Sequence, residues 1–174
     1  MRKKRLLQLT AALLCAVILS ACGGTPADAD YTCTVSISCA TILDNMDQCA
    51  ESKKELVPAD GVILPPTEVA FAEGESAFDV LQRVCRDNGI HLESKFTPVY
   101  NSAYIQGIHN IYEFDVGKLS GWMYAVNDRF PNYGCSLYQV QDGDVIRWVY
   151  TCDLGADVGG GQAAGDGQQE GAST

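Results

Sequence analysis

Strict alternation of apolar and polar residues opens the folded part of the chain. Cys33, Val35, Ile37 and Cys39 alternate with Thr34, Ser36 and Ser38, the period of a half-buried strand with its apolar face on a core. A long loop is expected next, through Lys53-Lys54 to Pro65-Pro66, and then a short strand at Val69–Phe71. Ser76-Ala77-Phe78-Asp79 has the form of a helix capping box. Phe78, Leu81, Val84 and Cys85 fall on one face of that helix, and Gly89 stands where it should end. Ile90, Leu92 and Phe96 alternate with His91, Glu93 and Lys95 up to Pro98, which predicts a strand with His91 facing solvent. Trp122–Val126 and Val145–Thr151 are two further strands, the second entered through Asp142-Gly143-Asp144. That acidic turn lacks the repeated oxygen ligands of a calcium loop and reads as a hairpin turn. One helix among about five strands predicts an α+β domain, a β-grasp-like mixed sheet packed on a single main helix.

The ends of the chain have a different character. Arg2, Lys3, Lys4 and Arg5 precede a mostly apolar stretch from Leu6 to Leu19, and Ser20 and Ala21 follow. This is the order of a secretory signal peptide, and the stretch is shorter than the ~20 apolar residues of a membrane-spanning helix. Leu19-Ser20-Ala21-Cys22 resembles the lipobox of bacterial lipoproteins, so residues 1–21 are expected to be removed and Cys22 to carry lipid. Residues 22–30 then form a tether, rich in Gly and Ala. The expected location is the extracytoplasmic face of the cell membrane, held there by the acyl chains. The folded domain is expected over residues 31–153, with residues 154–174 a Gly-rich acidic tail too poor in apolar residues to fold.

Charge and cysteine content narrow the partners. Removing residues 1–21 takes away four of the twelve Lys and Arg and none of the twenty-two Asp and Glu, leaving a net charge of −14. Nucleic acid is excluded as a partner for such a surface. Six cysteines remain beyond Cys22 in an oxidising compartment, which points to disulfides. No Cys-x-x-Cys spacing occurs, and the two histidines lie in unrelated segments, so no zinc or thioredoxin-like site is indicated. If Gly143-Asp144 turns a hairpin between Leu137–Val140 and Val145–Thr151, Cys135 falls opposite Cys152 and the two can bridge. The alternative is that one of them reaches Cys39 on the first strand.

From Gly74 to Thr151 an ordered set of motifs resembles the transcobalamin-like C-terminal domain family. It comprises Gly74-Glu75-Ser76-Ala77-Phe78-Asp79, Tyr100-Asn101-Ser102-Ala103-Tyr104-Ile105, Gly107-Ile108-His109-Asn110, Gly121-Trp122-Met123-Tyr124 and Asp142-Gly143-Asp144. The resemblance implies a β-grasp-like domain of the kind that closes over cobalamin in vitamin carriers. By the same resemblance Tyr104 and Ile105, and the strand beginning at Trp122 and including Tyr124, correspond to segments that face the vitamin. The large helical domain that completes the site in those carriers has no counterpart here, so an envelope protein is the expected other half.

The residues themselves add an aromatic concentration: Tyr100, Tyr104, Trp122, Tyr124, Tyr133 and Tyr138. Tyr and Trp combine a flat apolar area with a polar handle, which suits binding surfaces. The strand face shared by Trp122 and Tyr124 is open to either reading, ligand surface or core. No Gly-x-Ser-x-Gly elbow, His-Glu-x-x-His or phosphate loop occurs, and no enzyme is expected. Two functions remain: a lipid-anchored, non-catalytic module that captures a corrinoid such as cobalamin, or another small ligand, with a partner; and an envelope adhesion or protein-interaction module with no small ligand.

Overall fold

The alternating segment forms β1, Tyr31–Ser38, and its Cys33, Val35 and Ile37 are buried as their spacing requires. The computed structural model describes residues 29–160. The expected signal segment, the cysteine expected to carry lipid, Cys22, and residues 161–174 therefore lie outside the described residues.

β1 pairs antiparallel with β2, Val62–Phe71, and parallel with the last strand, β7, Val145–Thr151. β7 pairs antiparallel with β6, Gly121–Val126, completing a mixed sheet of order β2-β1-β7-β6. A second, antiparallel sheet holds β3, Leu92–Thr97, β4, Ser102–Ile108, and β5, Ile111–Tyr112. The main helix, α1, spans Ala77–Asp87, and its buried Val80, Leu81, Val84 and Cys85 share one core with both sheets. Its capping box forms as expected: the Ser76 hydroxyl accepts from the Asp79 amide, and the Asp79 carboxylate accepts from the Ser76 amide. The α+β reading with one main helix is what the structure shows. Among the described residues no helix is long and apolar enough to cross a membrane.

Three expectations are corrected. The second strand starts at Val62 and runs through Pro65-Pro66, where a loop was expected. β2 is an edge strand, and the ladder skips from Val35–Thr67 to Ile37–Leu64, so two prolines that cannot donate sit in a bulge opposite Ser36. The Asp142 turn makes no hairpin with residues 137–140. Its Gly143 amide donates to Thr32 O and its Asp142 carboxylate accepts from the Thr32 amide, because β7 gives its second edge to β1. Residues 135–140 run instead beside the start of α1, where Ala77 N donates to Tyr138 O and Val140 N to Glu75 O. The Cys135–Cys152 bridge is consequently not formed: the Cys135 thiol lies at Ala103 O, the Cys152 thiol at the Thr41 hydroxyl, and all six described cysteines are free. Burial pushes the thiols of Cys33 and Cys135 up to about 11 and those of Cys39 and Cys85 up to about 12.

Past residue 153, where the Gly-rich tail was expected to begin, the described residues still pack on the domain. A short 3-10 turn, Ala156–Val158, folds back after β7, with Gly155 and Gly160 against the Met123 side chain. The Asp157 carboxylate accepts from the Cys152 amide at 2.7 Å and from the Thr151 hydroxyl, closing the end of β7. Asp157→Ala should therefore lower stability by about 1.5–3 kcal/mol, as expected for a charge-assisted hydrogen bond. Thermal melts of that variant and of a chain ending at Leu154 check this. A melt unchanged in both would mean that the turn contributes nothing.

Candidate functional site

The β3–β4 hairpin reaches beyond the core at its Thr97–Ser102 end. Leu92, Ser94 and Phe96 lie on the face that carries Ile105 and Ile108 into the core, yet Phe96 is 59% exposed because nothing covers that end. The opposite face carries Lys95 and Tyr104 as a cross-strand pair. Beside it runs part of the β6–β7 connection, Pro131 to Gly134, and between the two lies a cleft of about 530 Å³. Tyr100, Tyr104 and Tyr133 are its aromatic walls, at 74, 44 and 46% exposure, and none of the residues lining it is charged.

Three contacts hold the second wall in place. A Cβ on Gly134 would lie 1.7 Å from the Ser102 Oγ, so the wall can come this close to β4 only with glycine there. The Ser136 hydroxyl accepts from the Ala103 amide at 2.9 Å and lies 3.0 Å from the Ser102 hydroxyl. The Tyr124 hydroxyl donates to Tyr133 O at 2.8 Å. Tyr133 itself stacks on Tyr138, whose hydroxyl donates to Asp144, a carboxylate that also accepts from the Asn127 amide nitrogen. The second wall is thereby tied to the end of the main sheet.

The four residues singled out in the sequence divide. Tyr104 lines the cleft, and its hydroxyl donates to Glu113 at 2.6 Å. Burial, then that hydrogen bond, pushes its phenol up to about 12. Ile105, next along β4, points the other way and is 4% exposed. Trp122 is 8% exposed, edge-on to Tyr150, with its indole N–H donating to Ile111 O at 2.8 Å. Tyr124 is buried and stacked on Trp148. Ile105, Trp122 and Tyr124 are thus core residues here and do not line the cleft. A β-strand with one buried face orients residues two apart alike, so Trp122 and Tyr124 go inward together. Tyr133 is among the aromatic residues the sequence singles out, but its place on a wall with Gly134 comes from a connection with no periodicity and leaves no signal. Among the described residues no group of His, Cys, Asp and Glu could hold a metal ion.

Residues 74–152 match the family described as Domain of unknown function (DUF4430). The match takes in the helix, the second sheet, the cleft and the last two strands, and leaves out β1 and β2. No curated protein matches the sequence. Among solved structures, haptocorrin in complex with Cbi is similar at a TM-score of 0.50 and 14% identity, over 71% of this chain and 26% of that one. This chain therefore spans about a quarter of haptocorrin, and the similarity is one of fold: it supports a transcobalamin-like fold. A Ruminococcus gnavus protein provisionally described as metal-binding is similar at a TM-score of 0.42 and 15% identity, over 70% of this chain and 97% of that one.

Two outcomes follow. Trp122→Ala should cost ~3–5 kcal/mol of stability, as loss of a buried aromatic does; denaturant unfolding measures it, and a loss below 1 kcal/mol would place Trp122 at the surface. The second concerns alkaline pH. Tyr104 and Tyr138 keep their protons to about 12, against 10 for an ordinary phenol, so the stability they contribute is complete below pH 10 and falls as pH rises from 10 to 12. Melting temperature should drop across that window as tyrosinate absorbance grows.

Proposed function

We propose that this protein is a non-catalytic binding module, lipid-anchored through Cys22 at the extracytoplasmic face of the cell membrane. It captures a small ring-faced ligand, a corrinoid such as cobalamin being the leading candidate, in the cleft between Tyr100, Tyr104 and Tyr133. The supporting observation is the cleft: three exposed tyrosines, the wall that carries Tyr133 being fixed by Gly134, Ser136 and Tyr124. Exposed aromatic rings on fixed walls lose little freedom on binding, which favours recognition. The fold similarity to haptocorrin, solved in complex with Cbi, is consistent with this. The cleft offers only one side of an enclosure, so a second envelope protein is proposed to close over the ligand.

A second reading, an envelope-interaction module, is favoured by a different surface. Phe114, Leu119 and Leu154 are 63, 44 and 70% exposed. They are neighbours through the hydrogen bonds Phe114 N to Ser120 O and Leu154 N to Leu119 O. Phe114 and Leu154 also have left-handed backbone, at φ 67° and 47°, an uncommon conformation for bulky residues that concentrates at functional sites.

Calorimetric titration of the full chain with cobinamide and cobalamin separates the readings. The first requires saturable binding that Tyr100→Ala and Tyr133→Ala weaken without changing the melting temperature. No heat with either corrinoid would remove the corrinoid assignment. Anchoring is tested by metabolic labelling with a palmitate analogue: Cys22→Ala should lose both label and membrane association, and retention of both would refute the lipoprotein reading.

A further inference from the structure

The outer face of the second sheet already holds one ammonium group. Lys53 Nζ lies 4.6 Å from the centroid of the Tyr112 ring and 3.3 Å from the Asp115 carboxylate. The Tyr112 hydroxyl donates to the Glu93 carboxylate at 2.8 Å. A ring facing a cation and a phenol giving its proton toward a carboxylate act together, since that hydrogen bond pushes electron density back into the ring and makes its face more attractive to positive charge.

The same pairing recurs at the cleft without a cation of its own. Tyr104 stands on the same sheet face, one strand over, and donates to Glu113 at 2.6 Å. Among the described residues no salt bridge reaches Glu113; neither it nor Lys95, across the ladder from Tyr104, lines the cleft, and Glu113 is tied to the cleft through the Tyr104 hydroxyl. Tyr100 and Tyr133 add two further rings. An anion entering here would meet no Lys or Arg on the walls and a carboxylate behind Tyr104.

We propose that the cleft is an aromatic cage for a substituted-ammonium cation, a free small molecule whose positive head group sits among Tyr100, Tyr104 and Tyr133 with Glu113 supplying the counter-charge. The proposal rests on the reading of the cleft as the ligand site, and it names a cationic head group, in place of a corrinoid ring, as what enters it. Quaternary ammonium groups suit such a cage because they shed water easily and present methyl groups to ring faces. The cleft volume of about 530 Å³ leaves room for the body that carries the head group.

The test is an NMR titration of the full chain with choline and, in parallel, with dimethylbutanol, its neutral isostere, at matched ionic strength. Choline should bind roughly two- to thirtyfold more tightly, the range expected for cation–π recognition from exposed to desolvated sites. Tyr100→Ala and Tyr133→Ala should each weaken choline binding. Glu113→Gln keeps an acceptor for the Tyr104 hydroxyl and removes the charge, so choline affinity should fall while dimethylbutanol affinity stays put. Equal affinity for the two probes, or a Glu113→Gln variant with unchanged choline binding, overturns the cation assignment. A cobinamide titration of the same sample tells that failure from a wider one. Cobinamide shifts at cleft residues with equal probe affinities would overturn the cation alone, whereas silence with cobinamide and choline alike would overturn both the cation and the cleft.

Discussion

The parallel pairing of the first strand with the last is the constraint on which the rest of this structure depends. Thr34 to Ser38 lies against Val145 to Val149, and the inward residues of both strands are among the most buried in the chain. A parallel pair needs a long crossover, and here nearly the whole domain is that crossover. Two consequences reach the site. β7 has one remaining edge, which β6 takes, so Trp122 and Tyr124 are carried into the core against Tyr150 and Trp148. With β6 beside β7, the connection between them, Asn127 to Asp144, leaves and re-enters the same end of the main sheet and passes β4 on the way, becoming the second wall of the cleft. Pairing at the centre of the sheet thus decides the position of a surface loop.

Buried residues serve this site by positioning it. Tyr124 does not line the cleft, yet its hydroxyl holds Tyr133 O, and its ring is fixed by Trp148. Gly134 contributes an absence: without a side chain, the wall can meet Ser102. The exposed rings therefore stand on supports made of core packing and main-chain hydrogen bonds, the arrangement that keeps a binding surface organised before a ligand arrives.

What the sequence revealed and what it hid follow from the range of the interactions involved. The capping box at Ser76–Asp79 and the alternation in β1 are local signals, and both elements form where they point. The start of β2 was hidden because Pro65-Pro66 argues against a strand unless it is known to lie at an edge with a bulge. The turn at Asp142–Asp144 was visible, but its partner, Thr32 on β1, lies at the far end of the chain. With that partner assigned wrongly, the register that brought Cys135 to Cys152 fell with it. Asp157 was read with the Gly-rich tail because a single carboxylate capping a strand end leaves no compositional trace. At the site, Tyr104 came from a motif and was placed at the cleft, while Trp122 and Tyr124 came from the same resemblance and were placed in the core. Both share a strand face, and only the β6–β7 pairing decides which way that face looks.

The central claim is that ligand recognition resides in the cleft between the β3–β4 hairpin and the Pro131–Gly134 wall. Backbone amide chemical-shift mapping of the full chain during titration with cobinamide tests it most directly. The account predicts shifts concentrated at residues 97–104 and 132–134, with Phe114, Leu119 and Leu154 unmoved. Shifts centred on those three apolar residues, or none anywhere, would contradict it.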